Sequence, residues 1–228
     1  MSGIIRGSSV RAVIFDFDGV LADTEALHCA AFQAVARSDG MDLSQADYFT
    51  QFLGLPDRAC LAALYARAGR RPTATELDAL VSRKRAQFAA LSQGATLYDG
   101  VPELLRRLHP RFVLAVASGA FRDEIEAILD RAGVRALFAA VVGAEDVMAG
   151  KPAPDPFLCA LRELNTRAGM ALTGAECVVV EDSPLGIAGA RAAGMRCIGV
   201  TTHHPAAALP ADLVIAHVSE LRLEDLPL

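Results

Sequence analysis

The sequence predicts a doubly wound α/β fold interrupted after its first strand by a helical insert, and three observations carry that reading. Short continuous apolar runs alternate with longer helical stretches, and such runs suit parallel strands buried on both faces. The first run, within "RAVIFDFDGVLADTE" (11–25), ends in two carboxylates one residue apart. Residues 24–95 contain no convincing strand. With 228 residues, 53% of them hydrophobic, the chain can bury one sizeable core, or a core and a smaller insert.

Taken in order, the expected strands are "AVIFDF" (12–17), "FVLAVAS" (112–118), "AAVVGA" (139–144), "CVVVED" (177–182), "RCIGVT" (196–201) and "DLVIA" (212–216). Helices are expected at "VPELLRRL" (101–108), "FRDEIEAILDRAG" (121–133), "DPFLCALREL" (155–164) and "PLGIAGARAAG" (184–194). Two of them close on Gly133 and Gly194, as helix C-caps often do. Strand–helix alternation of this kind argues for a parallel, doubly wound sheet. The insert reads as several helices, among them "ALHCAAFQAVAR", "RACLAALYARAG" and "ATELDALVSRKRAQFAAL". The simplest organisation is a core of residues 1–23 and 96–228 carrying an α-helical cap of residues 24–95.

Composition narrows the function classes. The formal net charge is -5, and no basic cluster interrupts it, so phosphate-backbone binding is a poor fit and nucleic acid is not expected as a partner. The five cysteines (Cys29, Cys60, Cys159, Cys177, Cys197) form no C-x-x-C pair and read as buried thiols of a reduced compartment. The start "MSGIIRGSSV" does not read as a secretory signal, and no apolar run reaches the ~20 residues that span a bilayer. A cytoplasmic protein without a membrane partner is the expectation. Oligomeric state is not readable from these features, and a monomer is compatible with them.

Asp16 and Asp18 are the feature that needs explaining. Two unit charges ~4 Å apart repel by roughly 4 kcal/mol at an effective dielectric of 20. Ligands of open α/β sheets sit at the carboxyl ends of the strands, where the first strand delivers this pair, with Gly19 letting the chain turn. Positions i and i+2 of a strand share a side, so both carboxylates are expected to face one crevice. The plainer reading is a turn or a helix cap, for which Asp23 is the better candidate. Three other strand ends tilt the balance. "VASG" offers Ser118 and the bare backbone of Gly119. "GKPAPDPF" holds Lys151 in a Pro-constrained loop. "VVVEDSPLGI" ends in Glu181 and Asp182, then Ser183 and Pro184 at a helix start.

Four carboxylates converging without a His/Cys cluster call for a hard cation, and oxygen ligands with open water positions favour Mg²⁺. Such an ion lets adjacent carboxylates coexist and offsets phosphate charge. A carboxylate can attack phosphorus to form an aspartyl-phosphate. A second acid can protonate the leaving oxygen and then deprotonate water. Ser118, the Gly119 amide and Lys151 supply donors for the transferring group.

"DFDGVLADTE", "VASG", "GKPAPDPF" and "VVVEDSPLGI", in that order, closely resemble the four motifs of the haloacid dehalogenase superfamily of phosphohydrolases. The likeness spans about residue 11 to residue 218, and the insert after the first motif looks like the cap of the subfamily that contains β-phosphoglucomutase and phosphoglycolate phosphatase. The resemblance implies a Rossmann-like core with Asp16 as nucleophile and Mg²⁺ ligand. It implies Asp18 as general acid/base, with its backbone carbonyl on the metal. Ser118 and Lys151 would bind the phosphoryl group, Lys151 also holding Asp16. Asp182 would ligate the metal, and Glu181 would do so directly or through water. The cap would close over a small phosphorylated metabolite and select its leaving group. Dehalogenases of the superfamily generally lack the second Asp, so Asp18 favours an oxygen leaving group that needs a proton.

Within that subfamily two activities remain open. His28 in "DTEALH" and Lys84 in "SRKRAQF" fall at spacings resembling a histidine and a cap lysine of β-phosphoglucomutase. The alternatives are a partly buried structural histidine and a solvated lysine face. In "FLGLPDRACL", where that mutase carries an arginine for the distal phosphate, an ungapped comparison places Asp57, with Arg58 next. One residue turns a helical side chain by about 100°, so Arg58 stays a candidate substrate ligand, together with His28 and Lys84, but by a different geometry. The expectation is a Mg²⁺-dependent phosphatase acting on a small phosphorylated metabolite, a sugar phosphate by preference. The alternatives are a β-phosphoglucomutase-like isomerase and a non-catalytic binding protein on the same fold. The complete motif set argues against the last. His203 and His204, in "VTTHHPAAAL", read as loop residues outside the site.

Overall fold

A computed structural model describes residues 9–167 and 169–226. The chain divides into two compact units, one of the residues up to Asp23 and from Thr96 onward, the other Thr24–Ala95.

Among the described residues, the first unit holds six strands: β1 (Ala12–Phe15), β2 (Val113–Ala117), β3 (Phe138–Val142), β4 (Cys177–Glu181), β5 (Arg196–Val200) and β6 (Leu213–Ile215). They form one sheet in the order β3-β2-β1-β4-β5-β6, and every pairing is parallel. Each expected apolar run is therefore a strand. β1 and β4 are buried along their whole length, which is why these runs show no polar alternation. The strands stop one or two residues short of the expected carboxyl ends, where the chain turns out of the ladder. The last rungs, Asp16 N–H to the Val180 carbonyl at 2.9 Å and Ser118 N–H to the Val142 carbonyl at 3.0 Å, still pin the first loop residue of each.

β1 sits at the switch point: the chain runs outward through β2 and β3, then returns to β4 on the other side. A parallel sheet opens its ligand crevice at this place, beyond the carboxyl ends. The connecting helices are α5 (Val101–Leu108), α6 (Arg122–Arg131), α7 (Asp155–Arg167) and α8 (Pro184–Ala192), following the cap helices in chain order. Gly133 and Gly194 take positive φ of 65° and 73° just past α6 and α8, as their C-cap reading requires. One sheet face packs Ile14, Ala115, Val142 and Val179 against Phe157, Leu164 and Ile187 of α7 and α8.

The second unit is four helices: α1 (Glu25–Ser38), α2 (Gln45–Gln51), α3 (Asp57–Arg67) and α4 (Ala74–Leu91). The start of α4 is set by a capping box, in which Thr73 Oγ1 accepts from Glu76 N–H while the Glu76 carboxylate accepts from Thr73 N–H at 2.7 Å, satisfying two end donors at once. α2 is short, and only Ser44, whose side chain accepts from Asp47 N–H, announces it. Thr24, not Asp23, holds the N-cap position of α1, and its side chain makes no capping bond. The unit closes on its own core of Phe32, Tyr48, Phe52, Cys60, Leu61 and Leu64. Among the described residues no helix is long and apolar enough to cross a membrane.

Asp39, just past α1, ties this unit together by accepting from Arg83 at 2.7 and 3.1 Å and from Tyr65. Those bonds, Arg83's first, hold its carboxyl below its ordinary value. A depressed carboxyl stabilises the fold above its unfolded pKa and loses that contribution as pH falls through the folded value. Asp39→Asn is therefore expected to lower unfolding stability by about 1 kcal/mol at neutral pH. The gap should start to narrow as the pH drops below about 4 and close only below the depressed folded value, so urea titrations should show a smaller gap at pH 3 than at pH 7.

Candidate active site

Every core residue singled out in the sequence lies at or just beyond a strand's carboxyl end. Asp16 and Asp18 follow β1, Ser118 and Gly119 follow β2, Lys151 lies in the loop after β3, and Glu181 and Asp182 end β4. Asp16, Ser118, Glu181 and Asp182 are buried.

Lys151 organises the carboxylates. Its Nζ lies 2.7 Å from Asp16 Oδ1 and 2.5 Å from Glu181 Oε1. Burial lowers the lysine's pKa, but the charges of Asp16 and Glu181 outweigh it and hold the ammonium above its ordinary range. The other Glu181 oxygen accepts from the Ser183 amide at 2.7 Å and the Ser183 hydroxyl at 2.9 Å. Ser183 in turn caps α8, its Oγ accepting from Gly186 N–H at 3.0 Å, with Pro184 at the first helical position. A side chain at Gly186 would overlap the Glu181 carboxylate, so the glycine is what lets that carboxylate lie against the helix start.

One oxygen each from Asp16, Glu181 and Asp182 lies within 4.8 Å of the others. Burial pushes both aspartates' carboxyls up, against the pull of Lys151 on Asp16 and of a His203 hydrogen bond on Asp182. Asp16 Oδ1 is a buried oxygen with no aligned hydrogen-bond donor, because the Lys151 ammonium approaches it as an ion contact. Three carboxylates against one ammonium leave net negative charge on a set of oxygen donors. A hard divalent cation fits that donor set and offsets the charge.

Asp18 corrects the expectation of four converging carboxylates. It is half-buried, and its carboxylate is not part of the cation cluster. Ser118 Oγ lies 3.5 Å from Asp18 Oδ2 and accepts from the Ala120 amide at 3.2 Å. The chain turns directly after Asp18, where Gly19 adopts φ 76°, a conformation L side chains rarely take. Gly119 is exposed, and a Cβ there would meet nothing within 4 Å, so its backbone lies open to a ligand.

A family model described as haloacid dehalogenase-like hydrolase matches residues 13–200. The chain belongs to the haloacid dehalogenase-like hydrolases. Among its relatives, validoxylamine A 7'-phosphate phosphatase of Streptomyces hygroscopicus subsp. limoneus is 33% identical over 217 residues, 93% of this chain and 96% of that one. β-Phosphoglucomutase of Bacillus subtilis is 30% identical over 220 residues, 94% and 93% of the two chains. The crystal structure of CbbY from Rhodobacter sphaeroides in complex with phosphate superposes with a TM-score of 0.83 at 27% identity, covering 95% of this chain and 99% of that one. The Rossmann-like core with a helical cap is thus the fold of this hydrolase.

In the hydrolase's second unit, Lys84 is fully buried, so the solvated-face reading is overturned. Its Nζ lies 2.7 Å from His28 Nδ1 and 2.9 Å from Asp57 Oδ2, with the Phe32 and Phe88 rings each 5.1 Å away. His28 stacks on Phe88 with centroids 4.1 Å apart. Arg58 stands apart from this group, exposed, and pairs with Asp78 and the Ala74 carbonyl. The residue that the sequence did not offer is His203, whose Nδ1 is 2.7 Å from Asp182 Oδ2. No motif spacing announces it, since the contact depends on which strands are neighbours.

Proposed function

We propose that this protein is a Mg²⁺-dependent phosphatase that hydrolyses a small phosphorylated sugar through an aspartyl-phosphate on Asp16. The observation that carries the reading is the division of labour after β1. Asp16 belongs to the buried cluster held by Lys151, whereas Asp18 stands outside it beside the Ser118 hydroxyl. An adjacent pair with one function would have no reason to part in this way.

In the first step an Asp16 carboxylate oxygen attacks phosphorus, and the bond from phosphorus to the leaving oxygen breaks as Asp18 gives that oxygen its proton. In the second, Asp18, now a carboxylate, takes a proton from water as the water oxygen attacks phosphorus. The bond to Asp16 breaks, phosphate departs, and both residues return to their starting states. Ser118 O–H, Gly119 N–H and the Lys151 ammonium donate to the phosphoryl oxygens. Asp16 and Asp182, with the Asp18 backbone carbonyl and Glu181, would hold Mg²⁺, which supplies positive charge against the carboxylates and the phosphoryl group.

The second unit supports hydrolysis over transfer. A mutase of this type must hold a second phosphate, and we assign His28, Lys84 and Arg58 to leaving-group selection on the resemblance. The Lys84 charge is already offset by Asp57, where β-phosphoglucomutase carries its arginine, and Arg58 is already paired with Asp78. A hydroxyl-rich leaving group suits such a neutralised cluster better than a second anion. The phosphomutase reading is favoured by the His28–Lys84 pair itself and by the Bacillus subtilis relative. Phosphorus NMR with Mg²⁺ and a panel of sugar phosphates, β-glucose 1-phosphate included and primed with bisphosphate, separates the two. Inorganic phosphate growing in and abolished by EDTA is the expected result. Conversion of the 1-phosphate signal to a 6-phosphate signal with little free phosphate would establish the mutase instead.

A further inference from the structure

The loop that follows β5 grips two of the carboxylate-bearing segments at once. Register places Glu181 of β4 beside Gly199 of β5, so the residues just past β5 emerge next to Asp182. Thr201 N–H bonds the Ile215 carbonyl of β6 at 3.1 Å and fixes the loop's origin. Thr202 Oγ1 then donates to the Gly19 carbonyl at 2.6 Å, in the turn that carries Asp16 and Asp18. One residue later, His203 Nδ1 meets Asp182 Oδ2 at 2.7 Å. The His203 side chain is only 15% exposed and that of Asp182 8%. A Cβ at Gly19 would strike the Asp182 carboxylate and lie 2.8 Å from His203 Nδ1, so the three segments meet as closely as a glycine allows.

From this geometry we infer that Thr202 and His203 form a clasp that positions Asp182 and the Asp16–Asp18 turn for the cation. The inference rests on the Mg²⁺ reading of the site. An ionised carboxylate only accepts hydrogen bonds, so His203 carries its proton on Nδ1 and donates. With Oδ2 restrained, the Asp182 carboxylate cannot swing about its Cβ–Cγ bond, and its other oxygen is left for the ion. Thr202 acts on the same junction through its side-chain hydroxyl, which holds the Gly19 carbonyl one residue beyond Asp18. His203 is thus a positioning residue that works through Asp182 and does not touch substrate. Groups that hydrogen-bond a ligating side chain typically change metal affinity 10–100-fold when removed.

The test is Mg²⁺ titration calorimetry on the full chain without substrate, with metal-free melting followed in parallel. His203→Ala is expected to weaken Mg²⁺ binding by about 10–100-fold. His203→Asn, whose amide nitrogen can stand where Nδ1 stood, is expected to restore most of it. His204→Ala, in the same loop, is expected to bind as wild type. Wild-type affinity in His203→Ala overturns the clasp, as does an Asn variant as weak as the Ala variant with a parallel fall in metal-free melting temperature. A wild-type protein that binds no Mg²⁺ overturns the clasp and the metal reading together.

Discussion

Asp16→Asn is expected to reduce turnover by at least about 10⁴-fold, the scale on which removing a nucleophile acts. The fold should persist, because the amide keeps the carboxylate's shape, and the Lys151 ammonium retains Glu181 as its second partner at 2.5 Å. Asp16 N–H keeps its bond to the Val180 carbonyl as well. Circular dichroism close to wild type, together with lost turnover on the best sugar phosphate of the panel, is the predicted pair of results. Turnover above about one hundredth of wild type would sink the nucleophile assignment, whatever happens to Mg²⁺ affinity.

Lys151→Ala should produce the largest change in stability. It removes the ammonium that sits between Asp16 and Glu181 at 2.7 and 2.5 Å, in a site where the Glu181 side chain is wholly enclosed. Deleting one partner of a buried ion pair leaves the other charge uncompensated and costs roughly 3–5 kcal/mol. The Ser183 amide and hydroxyl still serve one Glu181 oxygen, so the figure belongs at the lower end of that range. Guanidinium unfolding of the metal-free protein measures it. Added Mg²⁺ should restore part of the loss, since a cation at the carboxylates replaces some of the missing charge. A metal-free variant as stable as wild type would contradict the charge account of this site.

The core of this hydrolase was legible because strand-end chemistry is local. The motifs of Asp16, Ser118 and Asp182 attach their polar residues to an apolar run, and a parallel sheet brings such ends to one edge; that of Lys151 is marked by its prolines, in the loop between β3 and α7. The chain therefore advertises Asp16, Ser118, Lys151 and Asp182 without any knowledge of contacts. Side-chain direction was not legible. Strand periodicity put Asp18 beside Asp16, but β1 ends at Phe15, so the i, i+2 rule no longer applies there, and the second carboxylate lies beside Ser118. His203 was passed over for a related reason. It lies 21 positions from Asp182, and only the β4–β5 pairing makes them neighbours. In the second unit, "SRKRAQF" reads as a charged surface run, yet one face of α4 buries Lys84 while Arg83 reaches Asp39. The sequence names the charges, and helix packing decides that Lys84 meets both Asp57 and, 56 positions away in the chain, His28.

In the proposed reaction the phosphoryl group passes through Asp16. Rapid mixing of the Mg²⁺-loaded protein with its best sugar phosphate, acid quench within the first turnover, borohydride reduction and peptide mass spectrometry test it directly. Homoserine in place of Asp16 in the wild-type peptide, with no reduced residue at Asp18, is the expected result. Free phosphate released in that interval with Asp16 unmodified would contradict it.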